Sequence, residues 1–496
     1  MNDNNTSAIV SKVWSFCNPL RDIGVGYGDY LEQLTYLLFL KMADEFSKPP
    51  YNRKLPIPKE YDWESLTAKR GDTLELHYTK LLSELSRQKG ILGQIFVQSQ
   101  NKIKEPAMLY KIIDMIDKEQ WATLGADIKG TIYEGLLEKN AEDTKSGAGQ
   151  YFTPRALIRA MVECVQPQPK KTIADPACGT GGFFLAAYDF IAKGNLDKDQ
   201  KQFLKFKTFF GNEIVANTRR MCLMNMFLHN IGDFDSENFI SPADALIATS
   251  PTTYDYVLAN PPFGRKSSMT ATNEEGEEET DELTYNRQDF WETSSNKQLN
   301  FVQHIRTMLK STGMAAVVVP DNVLFEGGAG ETVRKKLMET TELHTILRLP
   351  TGIFYKQGVK ANVFFFDNKV ASKEHWTKEI WFYDFRTNIH FTLKKNPLKL
   401  EDLRDFITCY NPNNRHKRKE LYNAETNPEG RWRKFSYDEI IARDKTSLDI
   451  SWIKDKSLTD LDNLPDPDVL AGDIIENLEA GLESFREIMI TINGKE

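Results

Sequence analysis

Apolar positions in the first part of the chain recur at helical spacing. Val10, Val13, Trp14 and Cys17 share one helix face, as do Leu31, Leu34, Leu37 and Leu38, and again Leu81, Leu82 and Leu85. Residues 1–145 therefore predict a helical N-terminal domain. Its most apolar run, Tyr36 to Phe39 with Leu40 and Met42, is flanked by Glu32 and Lys41. That run falls short of the roughly 18 residues a membrane span needs, so it predicts a buried helix. The stretch A-E-D-T-K-S-G-A-G, Ala141 to Gly149, has the composition of a linker or loop.

Between residues 146 and 400 the period changes to short β-rich runs alternating with helices. Strands are predicted at Lys171 to Asp175, Thr208 to Glu213, Tyr254 to Ala259, Ala315 to Pro320, Thr345 to Leu349 and Asn362 to Phe366. Helices are predicted at Phe183 to Ile191, Ala216 to His229 and Asn300 to Leu309. Alternation of this kind predicts an α/β fold, a doubly wound, Rossmann-like sheet. Ile380 to Phe385 reads as a further strand. Residues 401–496 read as mainly helical, with an amphipathic helix over Asp468 to Ile492. In that region R-H-K-R-K, Arg415 to Lys419, is a basic cluster, either a phosphate contact or a solvated surface group.

Composition adds three limits. Hydrophobic residues make up 40% of the 496 positions and charged ones 27%, as in an ordinary globular chain. The opening Met-Asn-Asp-Asn-Asn lacks the basic and apolar parts of a signal peptide, which predicts a cytoplasmic protein with no membrane segment. The five cysteines, Cys17, Cys164, Cys178, Cys222 and Cys409, are scattered without a C-x-x-C pair, so neither a disulfide framework nor a metal site is expected.

Charge first argues against nucleic acid, since the net value is −8. It is unevenly spread. Glu274 to Glu282, E-E-G-E-E-E-T-D-E, contains seven acidic residues and no basic one, and accounts for all but one of those net charges. A near-neutral body with one acidic loop fits a chain that borrows phosphate affinity from a partner.

The candidate chemistry begins after the first predicted strand. In I-A-D-P-A-C-G-T-G-G-F, Ile173 to Phe183, glycines at 179, 181 and 182 permit a tight turn and close approach of backbone to a ligand. The spacing is not that of a pyrophosphate loop, and Asp175 would repel an anion. A cation suits it better. S-adenosylmethionine carries an ammonium and a sulfonium, and Asp175 can meet the ammonium directly or through water. Glu213, ending the next strand, is placed for the ribose hydroxyls, and Asp244 in S-P-A-D-A for the adenine amino group. Cys178 lacks an assisting histidine, which disfavours a nucleophilic role.

The strand Tyr254 to Ala259 ends in Asn260-Pro261-Pro262-Phe263. Two prolines in series end strand pairing and fix φ, so the backbone there is held still. An exocyclic purine amine is a weak nucleophile because its lone pair is drawn into the ring. The Asn260 side-chain oxygen and the Pro261 carbonyl can each accept one N–H, localising that lone pair toward a sulfonium methyl. Phe263 would stack on a base taken out of the duplex, and Gly264 leaves room for it.

These motifs, preceded by G-Q-Y-F-T-P-R at Gly149 to Arg155, resemble the methylation (M, HsdM) subunit of type I restriction-modification systems. S-N-K-Q-L from Ser295, V-V-V-P-D-N-V-L-F-E-G-G from Val317, L-R-L-P-T-G-I-F from Leu347 and S-L-D-I-S-W from Ser447 extend the resemblance over most of the chain. The resemblance implies N6-adenine methylation of double-stranded DNA by Asn260, Pro261, Pro262 and Phe263. It implies cofactor contact by Gln150, Tyr151, Phe152, Thr153, Pro154 and Arg155, and by Thr180, Gly181, Gly182 and Glu213. It also implies partners: a specificity (S) subunit, a second copy of the chain so that two methylation subunits share one specificity subunit, and a restriction (R) motor-nuclease subunit. Thr153 to Arg155 can at the same time open a helix, with Thr153 as cap and Pro154 at its first position.

Alternatives remain at this point. Cytosine C5 chemistry would need a thiol where Asn260 stands, whereas N4-cytosine chemistry uses a similar amine and is separated only by asparagine in place of serine. A scaffold that binds cofactor as a signal, or a stand-alone enzyme with target reading in residues 370–496, would leave the same motifs.

Overall fold

The computed structural model describes residues 15, 27–50, 52, 54–121, 153–232, 239–263, 268–272, 278–282, 285, 287–354, 359–393, 396–456, 471–472, 474–475, 478 and 482. They fall into two compact units, residues 1–152 with 166–259, and residues 153–165 with 260–496.

The first unit opens with α1 (Tyr27–Ser47), α2 (Trp63–Thr67), α3 (Gly71–Ser86), α4 (Gly90–Phe96) and α5 (Pro106–Asp117). The apolar run of α1 is buried on all sides, from Leu34 through Ala43. A helix apolar all round must be enclosed. Lys41 lies within it and is neutralised by Asp117 at 2.8 Å, which also accepts from Trp63 Nε1 at 2.7 Å. No helix among the described residues is long and apolar enough to cross a membrane.

The same unit continues through β1 (Ile173–Asp175), α7 (Gly182–Ala192), α8 (Lys198–Phe206), β2 (Phe209–Asn212), α9 (Ala216–Leu228), β3 (Ile240–Ser241) and β4 (Tyr254–Ala259), α6 (Arg155–Val165) belonging to the second unit. The strands lie in the order β4, β1, β2, β3, all parallel, with Ile173 opposite both Phe209 and Tyr256. Parallel strands share one carboxyl edge, so Asp175, Glu213 and Ala259 emerge on the same side.

The second unit contains α6, the hairpin of β5 (Ser268–Thr272) and β6 (Glu278–Glu282), then α10 (Lys297–Met308), β7 (Leu309–Pro320), α11 (Asn322–Phe325), α12 (Ala329–Thr340), β8 (Thr341–Arg348), β9 (Ala361–Asn368), β10 (Glu379–Asp384), α13 (Arg404–Tyr410), β11 (Trp432–Ser436) and α14 (Tyr437–Ile441). Its sheet order is β7, β9, β8, β10, β11. β9 runs antiparallel to both neighbours and is buried along its whole length, as its unbroken V-F-F-F run requires. Arg334, 1% exposed, ties the chain after α14 to this core by donating to the Thr446 carbonyl at 3.2 Å and the Val323 carbonyl at 3.0 Å.

All strands expected from periodicity are present, most with ends shifted by a few residues, and β7 begins six residues earlier, at Leu309 rather than Ala315. Three features carry no alternation signal: the two-residue β3, the acidic hairpin, and β11, which lies among the short helices of residues 401–456 and pairs antiparallel with β10. The Ala141 to Gly149 linker and nearly all of the Asp468 to Ile492 helix lie outside the described residues.

The basic cluster divides in two. Arg415 pairs with Asp367, and Arg418 donates to the Tyr410 carbonyl at 2.6 Å and Thr345 Oγ1 at 3.0 Å while lying over the Tyr410 ring. These two guanidiniums serve the interior. Only His416, Lys417 and Lys419 are exposed.

Candidate active site

In the first unit, the chain leaves β1 at Asp175 and turns through the glycine loop into α7. Asp175 is 2% exposed and accepts from the Ala177 N–H at 2.9 Å. Burial pushes its carboxyl up to about 8, with Glu213 adding to the shift. Gly181 caps α7 at φ +84°, a left-handed position that a side chain would strain. A Cβ there would also meet Cys222 Sγ at 3.0 Å. The Thr180 carbonyl accepts from Asn225 Nδ2 at 3.0 Å, and the Gly181 N–H donates to the Cys178 carbonyl at 2.8 Å. Gly182 begins the helix.

Glu213 follows β2. Its carboxylate accepts from the Val215 N–H at 2.7 Å and from the Gly179 N–H, and burial raises its pKa. The Glu213 N–H donates to the Ser241 carbonyl at 2.9 Å, and Asn212 Nδ2 to the Ala243 carbonyl at 3.1 Å. Those bonds set the Glu213 turn beside the turn that holds Asp244, whose Oδ1 accepts from the Leu246 N–H at 2.9 Å. Asp175, Thr180, Gly181, Gly182, Glu213 and Asp244 thus belong to one strand edge of one unit. Cys178 is buried with its sulfur 4.0 Å from Cys222, and that neighbour and burial push its thiol up, away from nucleophilic use.

In the second unit, Asn260 Nδ2 donates to Thr153 Oγ1 at 2.7 Å. Pro261 is buried, Pro262 exposed, and Phe263 half-buried with its ring edge-on to Phe354 at 6.0 Å and 68°. Pro261 and Phe263 also line an apolar recess with Gln298, Val302 and Val317 to Pro320.

The helix that Thr153 to Arg155 were expected to open starts one residue later than that reading. The Pro154 carbonyl accepts the first helical bond, from Ile158 at 3.0 Å, and Arg155 is the first helical residue. The Thr153 hydroxyl accepts from Asn260 Nδ2. Gln150, Tyr151, Phe152 and Gly264 lie outside the described residues.

Sequence reasoning missed the Thr153 link to Asn260, the Phe354 contact and Asn225. Each joins residues far apart in the chain, which no local pattern announces. Phe354 does stand in the L-R-L-P-T-G-I-F run, and Thr153 in the Q-Y-F-T-P-R run.

Residues 124–452 match the family model described as N-6 DNA methylase, and residues 9–116 that of the HsdM N-terminal domain. The chain is 38% identical to the type I restriction enzyme StySJI methylase subunit of Salmonella typhimurium LT2, over 98% of this chain and 95% of that one. The crystal structure of the type I restriction enzyme EcoKI M protein is similar at 34% identity and TM-score 0.53, covering 98% and 96%. A chain from a structure on complex assembly and conformational transition of the type I restriction-modification system is similar at 25% identity and TM-score 0.70, covering 99% of each.

Proposed function

The chain belongs to the N-6 DNA methylase family, among the methylase subunits of type I restriction enzymes, and from that premise we propose how its residues divide the work of methylating adenine N6. The methyl donor is S-adenosylmethionine, which when bound supplies an electrophilic methyl group on a sulfonium.

The donor set of the first unit fits that molecule. Asp175, whose carboxyl burial pushes up to about 8, gains most from a ligand that brings an ammonium. Gly179, at φ +54°, faces open space on its Cβ side and lets the ligand approach the backbone. Glu213 receives the ribose hydroxyls and Asp244 the adenine amino group. The Gln150 to Arg155 stretch is proposed to contribute further cofactor contacts, with the Thr153 hydroxyl given to Asn260.

Adenine N6 is beyond reach inside a duplex, so the base is flipped out and stacks on Phe263, whose ring Phe354 supports from the side. Asn260 Oδ1 and the Pro261 carbonyl each accept one N–H of the amine. Pro261 and Pro262 keep both acceptors at a fixed angle, so no reorganisation is needed as N6 turns tetrahedral. N6 then forms its bond to the methyl carbon as the bond from that carbon to the sulfonium sulfur breaks, the electron pair leaving a neutral thioether, and N6 sheds a proton to water, since both acceptors are weakly basic.

The observation that carries this reading is the bond from Asn260 Nδ2 to Thr153 Oγ1. It engages one of the two N–H donors of the amide, and Oδ1 diverges from that bond. An asparagine serving only as a turn residue would place its oxygen, not its nitrogen, against the local backbone.

Target sequence is read by a specificity subunit, with a second copy of the chain completing an assembly of two methylation subunits and one specificity subunit on double-stranded DNA, and a restriction subunit joining it for cleavage. Support comes from the near-neutral body outside the acidic run, and from Arg415 and Arg418, the two arginines of the basic cluster, which turn inward rather than toward phosphate. The test is methylation of DNA by the chain with and without its specificity subunit. Transfer to adenine only with the partner is expected, and full activity of the chain alone would overturn this division of labour.

A further inference from the structure

α9 has two occupied faces. Toward the cofactor loop it presents Cys222, Asn225 and Met226, and a Cβ on Gly181 would meet Cys222 Sγ at 3.0 Å and Met226 Sδ at 3.6 Å. Toward the N-terminal helices it presents Arg220 and Phe227. The Arg220 guanidinium, 4% exposed, donates to Glu32 of α1 and to the Val97 carbonyl at 2.6 Å, and lies 5.3 Å from the Tyr36 ring. The Phe227 ring sits 5.3 Å from that of Phe39, also on α1.

Asn225 is fully buried, and its Oδ1 has no hydrogen-bond partner among the described residues. An orphaned buried oxygen costs stability, and a leucine would fill the same space without one. The bond that Nδ2 makes is thus offset by the oxygen, and net stability is a weak reason for the amide. What Nδ2 does is pin a peptide. The Thr180–Gly181 unit is held through its N–H by the Cys178 carbonyl at 2.8 Å and through its C=O by Asn225 at 3.0 Å. In a planar trans peptide those groups point in opposite directions, so the two bonds together stop the plane from rotating. Gly181, with its wide conformational freedom, is the joint about which it would otherwise swing.

We propose that Asn225 is a positioning residue for the cofactor loop, and that α9, anchored on α1 through Arg220, holds the Thr180–Gly181 peptide in the orientation that receives the methyl donor. The proposal rests on the assignment of this loop to the cofactor.

Calorimetric titration of the full chain with S-adenosylhomocysteine, beside thermal melting of the unliganded chain, tests it. Asn225→Leu is expected to bind about tenfold more weakly while melting close to wild type, because the orphaned Oδ1 that is lost offsets the Thr180 carbonyl left without its donor. Arg220→Met, which touches nothing in the loop, should weaken binding by roughly threefold, and the double variant should lose less than the product of the two because both act through α9. Unchanged binding by Asn225→Leu, or a lowered melting temperature with unchanged binding, overturns the proposal. Should that variant not fold, Asn225→Ser removes the same donor with little bulk and is held to the same binding criterion. The cofactor assignment fails separately if wild type does not bind the probe, or if Asp175→Asn and Gly181→Val both bind it as wild type does.

Discussion

The loop after β1 is buried and carries a carboxyl, whereas the turn after β4 is half-exposed and carries a neutral amide. Asp175 is 2% exposed, and the Thr180–Gly181 peptide is bonded at both ends. Asn260 has Thr153 for its amide nitrogen and two prolines for its backbone. The difference fits what the proposed function gives each to hold. A cation is recognised by a carboxylate that burial has made costly to ionise alone, and such a site senses pH. A purine amine about to become a nucleophile must be aligned without being protonated, which calls for rigid neutral acceptors that do not sense pH. Changes in the loop should therefore appear as binding, and changes in the turn as rate.

The sharpest separation is expected from Asn260→Ala. Losing one preorganised acceptor of this kind costs on the order of 100- to 1,000-fold in rate. Methyl transfer from labelled S-adenosylmethionine should fall by that factor, while calorimetric affinity for S-adenosylhomocysteine stays the same. A loss of affinity equal to the loss of rate would erase the distinction between the two regions.

Asp175→Asn should do the converse, weakening cofactor binding by about 10- to 100-fold, the range for a buried charge-assisted hydrogen bond. The pH dependence has a definite sign. In the unliganded chain the carboxyl titrates at about 8 rather than 3.8, so at neutral pH it is protonated and must release a proton to meet a cation. Affinity for S-adenosylmethionine should rise with pH toward about 8 and then cease to rise, and Asp175→Asn should abolish the slope. The same raised value penalises the unliganded fold increasingly as pH climbs from 3.8 through about 8, so the variant should melt higher than wild type at the top of that range.

A smaller effect is expected at Phe263, where stacking of a base on an aromatic ring contributes about 1–3 kcal/mol. Phe263→Ala should raise the KM for DNA and lower kcat/KM, Phe263→Tyr should restore both, and cofactor affinity should not move. An equal defect in the alanine and tyrosine variants would show the ring to be packing against Phe354 and nothing more.

How much of this was legible beforehand also differs between the regions. The α/β order, β1, β2 and β4, and both motif loops follow from local patterns: alternation, glycine spacing, and prolines after an apolar strand. Asp175 and Glu213 were readable as carboxylates at strand ends, and their raised pKa values follow from burial that the fold alone supplies. The bonds that orient the chemistry were not readable. Asn225 to Thr180 and Asn260 to Thr153 join positions 45 and 107 residues apart, and tertiary packing chose them. Arg415 and Arg418 show the same limit in reverse, since a run of five basic residues looks like a surface patch until Asp367, Tyr410 and Thr345 are seen beneath it.

The least change, and the one that bears most directly on how the turn is held, is Thr153→Val. Valine keeps the shape of threonine and removes the oxygen that receives Asn260 Nδ2. A single such hydrogen bond is worth about 1 kcal/mol, so kcat should fall roughly fivefold, and Thr153→Ser should recover most of it. If the hydroxyl acts by orienting the Asn260 amide, adding Thr153→Val to Asn260→Ala should cost nothing further, because no amide remains to be oriented. If Thr153 instead contacts the cofactor, as its place in Q-Y-F-T-P-R implies, the valine variant should lose affinity for S-adenosylhomocysteine and should weaken Asn260→Ala as much as it weakens wild type. The double variant thus decides whether this threonine belongs to the rate side of the comparison or to the binding side.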